Sequence, residues 1–400
     1  MSLDAVETLS DLVAIPSVNP MGRDLSGPEY FEYKVTEYLE ALFDRLGLPH
    51  QRQTVEPLRD NIVARFDGDP PLEDGGTLLM FEAHQDTVPV DGMTIDPWSP
   101  FVADGRIYGR GSCDIKGGMT AMLVALARLI DERPLGRPTI VMACTVNEEH
   151  GYSGVDQIPQ LWQQNSDVLP RRPDAAIVAE NGNLNVVVAH KGAVRWRCRT
   201  RGRAIHSSQP QLGINALYRM APVLSALDRY QREIAAQLPP HPRCGSPTLS
   251  VGTIRGGISV NTVPDECEIE IDRRVIPGET SAAAYQQVLE YLAQQPEIDF
   301  ELEHERPFLD GAPLGDETNG HLAEHLLAAA RRHHDGAEIV GVPYGTDASK
   351  LAAAGVPTVV FGPGSVEQAH TADEWLDLDE LATACGVLYE FAAGGYTPER

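Results

Sequence analysis

Two kinds of apolar pattern alternate along the chain. Short unbroken runs occupy residues 78–82 (LLMFE), 139–146 (TIVMACTV), 175–179 (AAIVA) and 356–361 (VPTVVF). Runs this short, with no polar face, predict strands buried on both sides. Between them, apolar positions recur at helical spacing. Leu3, Val6, Leu9, Leu12 and Val13 share one face of a helix that should stop before Pro16. Residues 30–46, 118–130 and 314–335 predict further helices, the first of them closed by Gly47. Residues 61–66 predict a short strand, and the Asp-, Pro- and Gly-rich segment 67–76 a turn. Buried strands alternating with helices indicate an α/β fold with a mainly parallel sheet flanked by helices.

The middle of the chain has a different grammar. Residues 193–200 (AVRWRCRT) alternate as a half-buried strand, and 214–227 read as an amphipathic helix. Strands at 249–254 and 267–275, a helix at 280–293 and a strand at 298–303 follow. Strand, helix, strand, strand, helix, strand is the order of a ferredoxin-like α+β unit. Residues 191–304 are therefore expected to form a domain inserted into a first one built from 1–190 and 305–400.

Composition narrows the class. Four hundred residues exceed what one hydrophobic core usually supports, in line with two domains. A net charge of −26 argues against nucleic-acid binding, which needs clustered Lys and Arg to displace phosphate counterions. A solvated acidic surface is the plain reading of that charge. Cys113, Cys144, Cys198, Cys244, Cys267 and Cys385 are scattered with no CxxC pair, which fits buried thiols in a reducing compartment. No signal-peptide pattern and no bilayer-length apolar run is present, so a cytoplasmic protein without a membrane partner is expected.

The chemistry sits where the buried strands end. The first breaks into His84 and Asp86, whose i, i+2 spacing puts both side chains on one side of an extended chain. An imidazole beside a carboxylate is the arrangement of a metal-binding His held by an acid. The second ends in Asn147, Glu148 and Glu149, and the third in Glu180; the fourth leads through a glycine-rich turn to His370. At ~4 Å and an intermediate dielectric, two like charges repel by about 4 kcal/mol. Glu148 and Glu149 therefore need a positive neighbour, or a solvated loop. Asp114 lies in GRGSCDIKGG at the head of a helix, where it could serve as a simple cap. A phosphate cradle is excluded there, because neither GxGxxG nor GxxxxGK[ST] is complete. In sheets of this kind the carboxyl ends of the strands form the ligand crevice, so these residues should converge.

The motifs HQD at 84–86, GRGSCDIKGG at 109–118, NEE at 147–149, Glu180, GRAIHSSQPQLGINA at 202–216 and AHTADEW at 369–375 together resemble the two-zinc amidohydrolases. That family includes acetylornithine deacetylase, succinyl-diaminopimelate desuccinylase, aminoacylases and carboxypeptidase G. Two departures stand out: Gln85 replaces a smaller or apolar residue, and Asn181 replaces the common proline after Glu180. The resemblance implies that Asp114 bridges two metals, with His84 and Glu180 completing one site and Glu149 and His370 the other. Three carboxylates and a bridging hydroxide would balance two divalent ions. Oxygen and imidazole ligands without thiolate fit Zn2+, with Co2+ or Mn2+ as substitutes.

By the same resemblance, Asp86 orients His84 and Glu148 is the general base toward metal-bound water. His206 reaches the site, often from a partner subunit, to stabilise the oxyanion. Asn261 and Arg274 hold a substrate carboxylate, Gly345 and Thr346 line the substrate, and a cis peptide follows Asp114. The implied substrate is a small N-acyl amino acid or short peptide, and the implied assembly a homodimer through the inserted domain. Deacylase and metallo-exopeptidase share this chemistry, and the pattern of HTADEW and DTVPVDG leans toward the deacetylase and desuccinylase branch. A non-catalytic homologue that kept the fold is a further alternative, opposed by the complete ligand set. HLAEH at 321–325 also matches H-x-x-E-H, an inverted zinc-protease motif, but lies outside the cluster of strand-end residues.

Overall fold

A computed structural model describes residues 2–399, which fall into two compact units. The first comprises residues 2–188, 316–340 and 346–399, the second Ala189–Gly315 and Gly341–Gly345.

The first unit is built on an eight-stranded sheet. Its four central strands, Thr139–Thr145, Leu78–His84, Ala175–Val178 and Thr358–Val360, run parallel in that spatial order. Every residue of the first three is buried, which is why their sequences lack a polar alternation. Antiparallel strands flank them: the hairpin of His50–Glu56 and Arg59–Phe66 on one edge, and Val186–His190 beside Thr358–Val360. The Lys116–Glu132 helix packs against Leu378–Ala393, Ala5–Val13 and the Leu78–His84 strand. Tyr33–Leu46 lies on Arg59–Phe66 and ends at Gly47, whose φ of 69° is the left-handed turn glycine adopts at least cost. The expected helix from residue 314 begins only at Gly320. Leu314 is drawn instead into a bridge with His190, exchanging both backbone hydrogen bonds at 3.1 Å. Among the described residues, no helix is long and apolar enough to cross a membrane.

The second unit has the order Gly192–Arg201, Ala216–Glu233, Thr248–Gly256, Glu266–Val275, Ser281–Ala293, Leu302–His304. Its antiparallel sheet is ordered Thr248–Gly256, Glu266–Val275, Gly192–Arg201, Leu302–His304, the ferredoxin-like arrangement. Trp196, Cys198, Ile269, Ile271, Tyr230, Val288 and Leu292 form its core with the two helices. The alternate positions of Gly192–Arg201 are Arg195, Arg197, Arg199 and Arg201, which pair across the sheet with Asp272, Glu270, Glu268 and Glu266. The last strand is three residues long, and Leu309–Gly311 continues along Gly192–Arg201 beside it. That pairing carries this unit beyond residue 304.

Candidate metal centre

Parallel strands deliver their carboxyl ends to one edge, and the register fixes which residues meet. His84 closes its strand opposite Thr145, with Glu148 and Glu149 just beyond; Glu82 lies opposite Val178, two residues before Glu180. His84, Asp114 and Glu180 each offer a ligand atom within 4.8 Å of the others, and so do Asp114, Glu149 and His370. Asp114 belongs to both groups and turns one oxygen to each. Its Oδ1 is 3.4 Å from His84 Nε2, and its Oδ2 is 3.2 Å from His370 Nε2. Glu180 Oε1 lies 3.7 Å from His84 Nε2, and Glu149 Oε2 lies 3.4 Å from His370 Nε2. The Asp114–Ile115 peptide bond is cis. Asp114 does not cap the following helix, whose N-cap is Ile115 with no side-chain hydrogen bond.

Among the described residues, two buried atoms in this cluster have no hydrogen-bond partner: His84 Nε2 and Glu149 Oε1. Buried polar atoms are rarely left so, and a cation in each group would engage both. Nitrogen and oxygen donors without thiolate fit a borderline divalent ion such as zinc.

The supporting contacts refine the role expected of Asp86. His84 Nδ1 donates to the Asp86 carbonyl oxygen at 3.0 Å, which directs the Nε2 lone pair at the centre; the Asp86 carboxylate is farther, at 3.5 Å. That carboxylate accepts the backbone N–H groups of Glu148 and Glu149, both at 3.1 Å, and the Asn19 amide at 2.8 Å. Asp86 thus holds the loop bearing both glutamates as well as facing the histidine. Behind it, buried Glu32 accepts the Asn147 N–H at 3.2 Å and faces the Arg59 guanidinium at 3.4 Å. Asn181, in place of the expected proline, donates its amide to Asp114 Oδ2 at 3.2 Å.

Electrostatics follow from burying this many acids together. Burial, with the charges of neighbouring carboxylates added, raises the pKa of Glu148, Glu149 and Glu180. Burial also pushes Asp114 upward, but the imidazoles of His370 and His84 beside it outweigh that and hold Asp114 below the carboxylate range. Burial opposes charge on His370, yet Asp114 and Glu149 raise it to about 11. Cations entering the centre would therefore displace protons.

A second acidic pair lies behind the first. Thr145 Oγ1 is 2.6 Å from Glu82 Oε1 and 3.0 Å from Asp347 Oδ2, all of them buried. One hydroxyl hydrogen serves only one acceptor, so the other carboxyl must itself carry a proton and donate. In agreement, burial raises Glu82 well above its ordinary value and Asp347 to about 7. Glu82, Asp347, Glu32, Asn19 and Glu374 were not singled out in the sequence. The one signal was a lone glutamate inside the apolar run 78–82.

His206, Asn261 and Arg274 lie in the second unit. Exposed His206 bridges to Thr262, and the Ser207 N–H donates to the Asn261 carbonyl at 3.0 Å, so His206 and Asn261 share one loop pair. The Ser208 N–H donates to His206 Nδ1 at 3.2 Å, which leaves Nε2 to carry the ring proton. Arg274 Nε is paired with Asp272 at 3.0 Å. Gly345 closes the short segment belonging to the second unit; Thr346 is buried in the first and accepts the Ala348 N–H at 3.1 Å. His321 Nε2 is held by the Thr397 carbonyl at 2.9 Å, and neither His321 nor His325 belongs to a three-ligand group among the described residues.

The family profile described as peptidase family M20/M25/M40 matches residues 80–394. The chain is 31% identical over 374 residues to acetylornithine deacetylase of Vibrio campbellii, covering 89% of each. Among solved structures it resembles the di-peptidase Dug1p of Saccharomyces cerevisiae, with a TM-score of 0.80, 14% identity, and 99% and 96% of the two chains covered. It also resembles the YXEP protein of Bacillus subtilis, described as a dinuclear metal binding peptidase, with a TM-score of 0.65, 17% identity, and 97% and 96% covered.

Proposed function

The chain belongs to peptidase family M20/M25/M40 and is a hydrolytic enzyme, and from that premise we propose that it splits the amide bond of an N-acylated amino acid. One observation carries this reading. Asp114 turns an oxygen to each of two ligand groups, with Glu148 buried beside them.

His84, Asp114 and Glu180 would hold one Zn2+, and Asp114, Glu149 and His370 the other, with Co2+ or Mn2+ able to substitute. When bound, such ions lower the pKa of a coordinated water to about 7 and polarise the amide carbonyl. Glu148 is the general base. Its carboxylate takes the proton from the attacking water and returns it to the departing amine, while Asp86 fixes its backbone. His206, with its proton on Nε2, is suited to donate to the developing oxyanion, from its own chain or a partner's. Asn261 and Arg274 are assigned to the substrate carboxylate, Arg274 exchanging Asp272 for it, and Gly345 and Thr346 to the substrate wall.

A metallo-exopeptidase is the second reading, favoured by the likeness to a di-peptidase. A panel of N-acetyl amino acids, N-succinyl amino acids and dipeptides, assayed with zinc or cobalt, separates the two. Deacylation of N-acetyl substrates above dipeptide cleavage is expected, and the reverse ranking would select the peptidase. In the same panel Glu148→Ala should keep two metals and lose 10²-fold or more in turnover. Near-normal turnover would overturn its assignment.

We also assign a homodimer to the inserted unit. Its edge strand Thr248–Gly256, the loop after it and the first turn of the Ala216–Glu233 helix expose Ile254, Ile258, Val260 and Tyr218, apolar side chains that a partner would cover. Val260→Glu should shift sedimentation from dimer to monomer; a wild-type monomer at micromolar concentration rules the dimer out. Six cysteines, five of them buried and none in a disulfide among the described residues, favour the cytoplasm.

A further inference from the structure

Glu374, four residues after His370, has no exposure to solvent and gathers the chain around Asp114. Its Oε1 accepts the N–H groups of Cys113 and Asp114, both at 2.9 Å. Its Oε2 accepts the Gly111 N–H at 3.0 Å and the Arg110 guanidinium at 2.6 Å. The strap is reciprocal, because the Gly109 N–H donates to the Glu374 carbonyl at 3.0 Å. On its other side, the Ala372 carbonyl accepts the Thr94 N–H at 2.8 Å. One carboxylate therefore ties the loop of His370 to the loop of Asp114.

Those loops carry two of the three ligands in one group and only one in the other. His84 and Glu180 are placed by the ends of central strands, which hold their register without help from Glu374. His370 has no such support: it is half exposed, and its φ of 62° is a left-handed conformation that a non-glycine residue adopts only at a cost. Only its surroundings keep it there. The four donors converging on this buried carboxylate, one of them a guanidinium, make charge-assisted hydrogen bonds, which are stronger than neutral ones.

We propose that Glu374 is a positioning residue for the second metal, the one held by Asp114, Glu149 and His370, and that the first metal depends on it only through the shared Asp114. This rests on the two-metal reading above. The test is calorimetric titration of metal-free wild type, Glu374→Gln and Arg110→Gln with Co2+, followed also by the visible absorption of bound cobalt. Wild type should take up two Co2+ per chain. Glu374→Gln should bind the first within threefold of wild type and the second 10- to 100-fold more weakly, the usual loss when a ligand's support is removed. Arg110→Gln removes a partner of Glu374 but none of the amides it holds, so both ions should bind within threefold.

Fewer than two Co2+ on wild type overturns the two-metal reading itself. Two on wild type with unchanged affinities in Glu374→Gln overturns only the role of Glu374. Equal weakening of both sites, or of the second site in Arg110→Gln, would mean general loosening and overturn it too. Should Glu374→Gln not fold, Glu374→Asp replaces it with the same expectation. If neither folds, Glu374 belongs to the fold and the proposal is wrong.

Discussion

Asp114 shows how a single residue's role changes with its surroundings. At the head of a helix its type suggests a cap, yet its oxygens point to histidines 30 positions before it and 256 after it. Spacing along the chain cannot reveal that, whereas the strand-end residues His84, Glu148, Glu149 and Glu180 were legible because each interrupts an apolar run. Spacing does not reveal the Glu82–Asp347 pair either: only the fold puts them on one threonine. Glu32 gives a measurable consequence of such burial. Burial raises its pKa to about 8 from an ordinary 4.5, despite Arg59 nearby. The folded state thus keeps a proton that the unfolded chain releases. Its contribution is fully present below pH 4.5 and is lost as pH rises through about 8, a span on the order of 5 kcal/mol. Urea unfolding of the metal-loaded protein from pH 5 to 8 should show stability falling less steeply in Glu32→Gln than in wild type. Parallel curves would mean that Glu32 is charged in the folded protein.

At the scale of elements, legibility followed burial. The central strands could be read because both faces are covered, and Gly192–Arg201 because one face is. The His50–Glu56 strand, HQRQTVE, is partly exposed along its length and offers neither pattern. The four-residue strand Ile339–Val342 is too short to carry a period. The alternation in Gly192–Arg201 also separates two kinds of energy. Trp196 is fully buried, meets Tyr285 edge-on at 5.1 Å, and donates its indole N–H to His304 at 3.3 Å. Trp196→Ala should cost about 3–5 kcal/mol and lower a calorimetric transition of the second unit. Arg199, on the other face between Glu268 and Glu305, is partly exposed, and Arg199→Ala should cost about 1 kcal/mol or less. Equal losses from the two variants would mean that the ion-pair face, not the apolar one, holds this unit together.

At the scale of the whole molecule, a net charge of −26 includes a centre that gathers several of those acids in its interior. Two divalent cations would resolve that tension: they would neutralise the buried carboxylates and engage His84 Nε2 and Glu149 Oε1, which have no hydrogen-bond partner among the described residues. The composition argues against nucleic acid and the sequence holds no bilayer-length apolar run, but the grouping of the strand-end acids is visible only where the fold brings five side chains to one place. Anomalous diffraction at the zinc edge, from crystals grown with zinc, tests this most directly. Two peaks per chain are expected, one touching His84, Asp114 and Glu180 and the other Asp114, Glu149 and His370. A single peak, none, or peaks at His321 and His325 instead would contradict it.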